Sequence, residues 1–161
     1  MRSALTGHFV LSSLHATDAA SAVHRFLDMG IEPFLVASST LAVVAQRLVR
    51  RICPYCREPY TPSPDELAYY DQQGGKTKKK FFHGAGCNLC AGTGYQDRIG
   101  VYEVMRVTDR IKELIVTGGS RDELREAAIE DGMRPLVDEG MRLVSEDMTT
   151  ISEVARSIYM L

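Results

Sequence analysis

Two Cys-x-x-Cys pairs, Cys53 with Cys56 and Cys87 with Cys90, hold every cysteine of this chain of 161 residues. A structural zinc site takes four donors in a tetrahedron, with thiolate sulfurs about 2.3 Å from the metal. A Cys-x-x-Cys turn brings two sulfurs to one side of the backbone, so two turns supply a full set. The competing use of the same residues is a pair of disulfides. Disulfide frameworks belong to short secreted chains with little core, whereas 45% of the residues here are apolar. The pattern therefore predicts a structural zinc ion on Cys53, Cys56, Cys87 and Cys90. The segment between the pairs, Arg57 to Gly86, is longer than the usual zinc-ribbon spacing.

The length suits one ordinary domain or two small ones. With 25% charged residues and a net charge of −2, the chain lacks the basic excess of phosphate binders, so no nucleic-acid partner is expected. Ser38, Ser39, Thr40 and Gln46 interrupt the best apolar run, and no direct membrane insertion is expected. Met1 to His8 has no long apolar stretch with a cleavage site, so no signal peptide is expected. A cytoplasmic location fits these features together with a reduced thiolate site.

Three regions follow from the pattern: residues 1–52, a cysteine module over 53–94, and 95–161. In the first, Phe9 to Leu14 reads as a buried strand. Thr17 and Asp18 cap a helix with Ala19, Ala22, Val23, Phe26 and Leu27 on its apolar face, closed by Gly30. Pro33 opens a second helix through Phe34, Leu35 and Val36. Leu41 to Val49 is rich in β-branched residues and is compatible with helix or strand. The cysteine module contains Pro54, Pro59, Pro62 and Pro64, many glycines, and a solvated basic loop with Lys76, Lys78, Lys79 and Lys80. Beyond it, Ile99 to Val107 alternates as a strand, and Ile111, Leu114 and Ile115 mark a short helix. Ser120 with Glu123 and Thr150 with Glu153 read as capping boxes. Pro135 precedes a helix carrying Leu136, Gly140, Leu143 and Val144 on one face, and the last helix carries Ile151, Val154, Ala155 and Ile158.

Other chemistry is sparse. Gly74-Gly75-Lys76-Thr77 looks like the end of a phosphate-binding loop, but the motif needs a glycine where Tyr70 stands, a strand before it and a helix after it. A flexible basic loop is the better reading. The acidic runs Asp122-Glu123 and Asp138-Glu139 suit helix starts and exposed faces. His24 falls off the apolar side of its helix, and His83 stands isolated before Gly84. His8 and His15 bracket the apolar segment, where they are either functional or merely satisfied polar residues at strand ends.

Read together, three blocks resemble the secretion ATPase superfamily. Thr6 to His15 (TGHFVLSSLH) looks like its histidine box. Val44 to Cys56 (VAQRLVRRICPYC) is similar to the segment leading into the tetracysteine module, and Gly86 to Glu103, with Cys87, Cys90, Gly92, Gly94, Arg98, Gly100 and Tyr102, is similar to the segment leaving it. Tetracysteine modules of this kind mark the assembly ATPases of type II secretion and type IV pili rather than the retraction motors. Two positions depart from the pattern. Ala16-Thr17-Asp18 stands where Thr-Asn-Asp is commoner, and Asp97 stands where glycine usually precedes Arg98.

The resemblance implies an α/β fold: a partial RecA-like ATPase domain whose N-terminal strands with the Walker motifs are missing, the zinc module, and a helical C-terminal bundle. It implies a hexameric cytosolic motor in the complete protein, peripheral at the inner membrane through a platform protein. Within it, His15 would sense the γ-phosphate, with His8 nearby. ATP and magnesium are expected only in that complete protein, because this chain carries neither Walker A nor Walker B and should not hydrolyse ATP alone. An open sheet edge would favour self-association of the isolated chain. Arg47, Arg50 and Arg51 are either subunit contacts or a basic strand end. The alternative to a motor segment is a stand-alone zinc-ribbon or adaptor module; Cys87 to Gly94 resembles one repeat of DnaJ-type chaperones, which carry four.

Overall fold

A computed structural model describes residues 2–159. In chain order the elements are α1 (Arg2–Leu5), α2 (Ala19–Asp28), α3 (Pro33–Ser39), β1 (Ala42–Ile52), β2 (Arg57–Tyr60), α4 (Pro64–Gln72), β3 (Phe81–Gly84), β4 (Tyr95–Arg106), α5 (Asp109–Thr117), α6 (Arg121–Glu130), α7 (Leu136–Ser145) and α8 (Ile151–Val154). A π-helical turn over Ala155–Tyr159 follows α8. The chain is mixed α/β with small sheets, β1 beside β4 and β2 beside β3. It divides into two compact units, Met1–Ala45 with Glu103–Pro135, and Gln46–Tyr102 with Leu136–Leu161.

The first unit is helical around the ends of the long strands. Asp18 starts α2 by accepting the Ser21 backbone N–H at 2.7 Å, and Pro33 occupies the first turn of α3, where its missing N–H costs nothing. The Leu41–Val49 ambiguity resolves as strand, because β-branched side chains pack well on a pleated surface. Alternation along β4 turns Val101, Glu103 and Met105 inward and Tyr102 and Val104 outward. The core gathers Val23, Val36, Met105, Ile111, Ile115 and Leu124. Both halves of the Ser120–Glu123 capping box form.

Phe9 to Leu14 is not a strand. It has no regular structure, and Phe9 and Leu11 are 79% and 84% exposed. A strand exists only through hydrogen bonds to a neighbour, and among the described residues neither sheet supplies one here.

In the second unit, Tyr70, Phe81, Met141, Val144, Ile151 and Val154 form the core. Gly140 lets α7 approach α8, since a side chain there would collide with Val154 and Ile158. The basic loop is better ordered than the sequence suggests. Ser63 and Glu66 form a full capping box that opens α4, and Tyr70 is buried with its hydroxyl donating to the Lys76 carbonyl at 2.9 Å. Gly74 to Thr77 thus follows a helix rather than preceding one, which is the wrong order for a phosphate-binding loop. No helix among the described residues is long and apolar enough to cross a membrane.

Candidate metal centre

Cys53 lies just past the end of β1, and Cys56 one residue before β2. Cys87 precedes a 3-10 turn over Asn88–Cys90, which places Cys90 back beside it. The backbone binds the two pairs together: the Cys53 N–H donates to the Gly94 carbonyl at 3.0 Å, and the Ala85 N–H to the Cys56 carbonyl at 2.9 Å. Gly84 and Gly94 approach so closely that a side chain on either would overlap the other's backbone.

The four sulfurs lie within 4.8 Å of one another. Cys53 and Cys87 are 3.9 Å apart, Cys56 and Cys90 3.8 Å, and Cys87 and Cys90 3.7 Å. A regular tetrahedron with arms of about 2.3 Å has edges of about 3.8 Å, so the residues present fit a four-thiolate ion. The sulfur separations are far beyond a disulfide bond of about 2.05 Å, so the four cysteines are arranged as separate thiols.

Electrostatics prepare the cluster for positive charge. Backbone N–H groups point at sulfur, from Gly86 to Cys56 at 3.3 Å, and from Cys87 and Gly94 to Cys90 at 3.2 and 3.3 Å. The Cys87 N–H, with that of Gly94, outweighs burial and holds the Cys90 thiol down to about 6. Burial and the neighbouring thiols push Cys56 up to about 12, against the Gly86 N–H. Four adjacent thiols cannot all ionise unaided; a divalent cation relieves the repulsion, and its binding displaces the remaining protons.

The histidines stand apart from this cluster. His8 and His15 are both exposed in the first unit, and His8 Nδ1 lies 3.0 Å from Thr6 Oγ1. His83 lies 3.3 Å from the Glu58 carboxylate, with its ring tilted against Tyr60 at a centroid distance of 5.1 Å. Among the described residues the cysteines are the only group arranged as metal ligands.

Several buried polar contacts escape sequence reasoning. Glu153 was expected to complete a capping box with Thr150. Thr150 does cap α8, but the Glu153 carboxylate turns away to Arg50, accepting its N–H at 2.9 Å and its guanidinium at 2.9 and 2.6 Å. Arg50 is thereby committed within the chain. Lys78 is not solvated; its ammonium donates to the Val144 and Ser145 carbonyls at 2.7 and 2.9 Å and pairs with Asp147. Glu103 is buried, and its carboxylate accepts the Ala19 N–H at 2.9 Å at the start of α2. The sequence does carry a signal for Glu103, since it falls in the apolar register of β4.

Fold and site define a mixed α/β protein with four clustered thiols able to hold a metal ion. A family model described as Type II/IV secretion system protein matches residues 1–156. The Type II secretion system protein HxcR of Pseudomonas aeruginosa is 42% identical over 156 residues, which are 97% of this chain and 29% of that one. The Type IV pilus assembly ATPase PilB of Myxococcus xanthus is 44% identical over 157 residues, covering 96% and 28%. The Type II secretion system ATPase E of Vibrio cholerae is 40% identical over 164 residues, covering 97% and 31%. The chain belongs to the Type II/IV secretion system protein family, and it spans less than a third of the length of these relatives.

Proposed function

We propose that this chain is the C-terminal part of a hexameric ATPase that powers assembly of a type II secretion pseudopilus or a type IV pilus, and that its four cysteines hold a structural zinc ion. The observation that carries the reading is the near-tetrahedral sulfur cluster in a chain whose relatives include pilus and secretion ATPases. Zinc suits four thiolates better than magnesium or calcium, which take oxygen donors. Bound there, it would supply folding free energy rather than catalysis.

In this reading residues 1–52 and the strand beginning at Tyr95 derive from a RecA-like sheet, residues 53–94 are the zinc module, and the helices after Val107 pack against them. His15, with His8 in support, would face the γ-phosphate only when a phosphate-binding loop and magnesium ligands are present. The exposure of Phe9 and Leu11 supports a segment awaiting neighbouring strands. The complete motor would work in the cytoplasm, peripheral to the inner membrane, against a platform protein.

Elemental analysis of protein purified without added metal tests the zinc assignment, with one zinc per chain expected. Phosphate release from ATP tests the rest. The isolated chain should show none, while a full-length version should hydrolyse ATP and lose that activity on His15→Ala. Hydrolysis by the isolated chain would refute the assignment.

A further inference from the structure

One short segment, remote in sequence from every cysteine, contacts the chain on either side of the cluster, through backbone before Cys53 and through side chains after Cys56 and Cys90. Before Cys53, the Ile52 N–H donates to the Met148 carbonyl at 2.9 Å, and Thr149 Oγ1 donates to the Arg50 carbonyl at 2.8 Å. The Arg50 N–H and guanidinium both bind Glu153. After Cys56, Arg57 Nη2 donates to Asp147 Oδ2 at 2.9 Å. After Cys90, the Tyr95 hydroxyl bonds Thr150 Oγ1 at 2.7 Å, with the Arg50 guanidinium 4.1 Å above the Tyr95 ring. Thr149, Thr150 and Glu153 are buried, which shields their own polar atoms from water, whereas the Arg57–Asp147 contact is exposed.

We propose that residues Asp147 to Glu153 form an outer brace for the metal centre, which positions the two cysteine pairs and sets how slowly the ion leaves. The inference rests on the four thiols being metal ligands. An ion leaves a four-thiolate site by successive detachment of its arms. The pairs are already tied to each other through Cys53 with Gly94 and Ala85 with Cys56. The end of β1 and the start of β4 are neighbours in one sheet, and the brace adds a second, side-chain restraint on both, through Arg50 and Tyr95. None of its side chains is a ligand, so they act as positioning residues, as outer partners of metal ligands do elsewhere.

The test is zinc release from the full zinc-loaded chain to excess chromogenic chelator under native conditions, followed by absorbance. Thr149→Val and Tyr95→Phe each delete one hydroxyl at nearly constant shape, and each should speed release about tenfold while keeping one zinc per chain. Ser120→Ala, at a helix cap in the other unit, should lower the melting temperature yet release zinc at the wild-type rate. Glu153→Gln should release fastest; if it fails to fold, the two milder variants decide. Wild-type rates in both of them, or equal acceleration by Ser120→Ala, would overturn the brace. If the wild type binds no zinc, the metal assignment fails separately. Thiol modification of the metal-free chain by a disulfide reagent then tests the positioning, with faster reaction in Thr149→Val and Tyr95→Phe expected and equal rates overturning it.

Discussion

Glu153 is a carboxylate with no exposed side-chain surface, yet it is ionised. Burial alone would push its pKa up, but hydrogen bonds from Arg50 and Arg156 and the Arg50 N–H outweigh it and hold the value at about 2, against 4.5 ordinarily. A lowered folded-state pKa contributes stability that is complete above the unfolded value and lost as pH falls through the folded one. The expected contribution is about 3 kcal/mol, present above about pH 4.5 and disappearing toward pH 2. Urea titrations across that window should show wild-type stability falling more steeply than that of Glu153→Gln; parallel slopes would contradict the account. Asp97 offers the opposite case. Its φ of 63° is left-handed, the region that favours glycine. Asp97→Ala should destabilise more than Asp97→Gly, because Asp and Gly tolerate the left-handed region and Ala does not; equal melting temperatures for the two variants by calorimetry would contradict this. Spacing made Glu153 look like a local cap because its true partner, Arg50, lies far away in sequence, whereas Asp97 stood out only against the pattern of the resemblance.

At the scale of elements, local signals were dependable where the partner was also local. The Asp18 cap of α2, Pro33 in α3 and the Ser120–Glu123 box all formed as read. The box Ser63–Glu66 was equally local, but it lay within a proline-rich stretch that read as loop. The strand expected over Phe9 to Leu14 failed for a different reason, since a short apolar run becomes a strand only beside a hydrogen-bonding neighbour. Lysines that are alike in sequence also separate in the fold. Lys78 closes the C-terminus of α7 on two carbonyls and Asp147, while Lys79 and Lys80 are exposed. Lys78→Gln should therefore cost about 1–2 kcal/mol in denaturant unfolding, and Lys79→Gln or Lys80→Gln less than about 0.5 kcal/mol. Equal effects at the three positions would show that the cap contributes nothing.

For the whole molecule, the two units have separate cores, and only one contains the cysteine cluster. Thiolate zinc is worth roughly 10–16 kcal/mol in small systems, much of it as folding free energy. Chelation should accordingly raise amide exchange across β2, β3 and the segment from Cys87 to Tyr95, while amides of α2 and α6 stay protected. Uniform loss of protection would mean that the metal supports both units alike. The chain by itself determined which four thiols cluster, because a Cys-x-x-Cys turn places two sulfurs together through local backbone geometry. It also determined the family, since the blocks that carry the resemblance are contiguous. Only the tertiary structure decided which charges are buried and paired. Arg50 with Glu153, Lys78 with the end of α7, and Glu103 with α2 join positions far apart in sequence, and such pairing depends on burial, which no local spacing encodes.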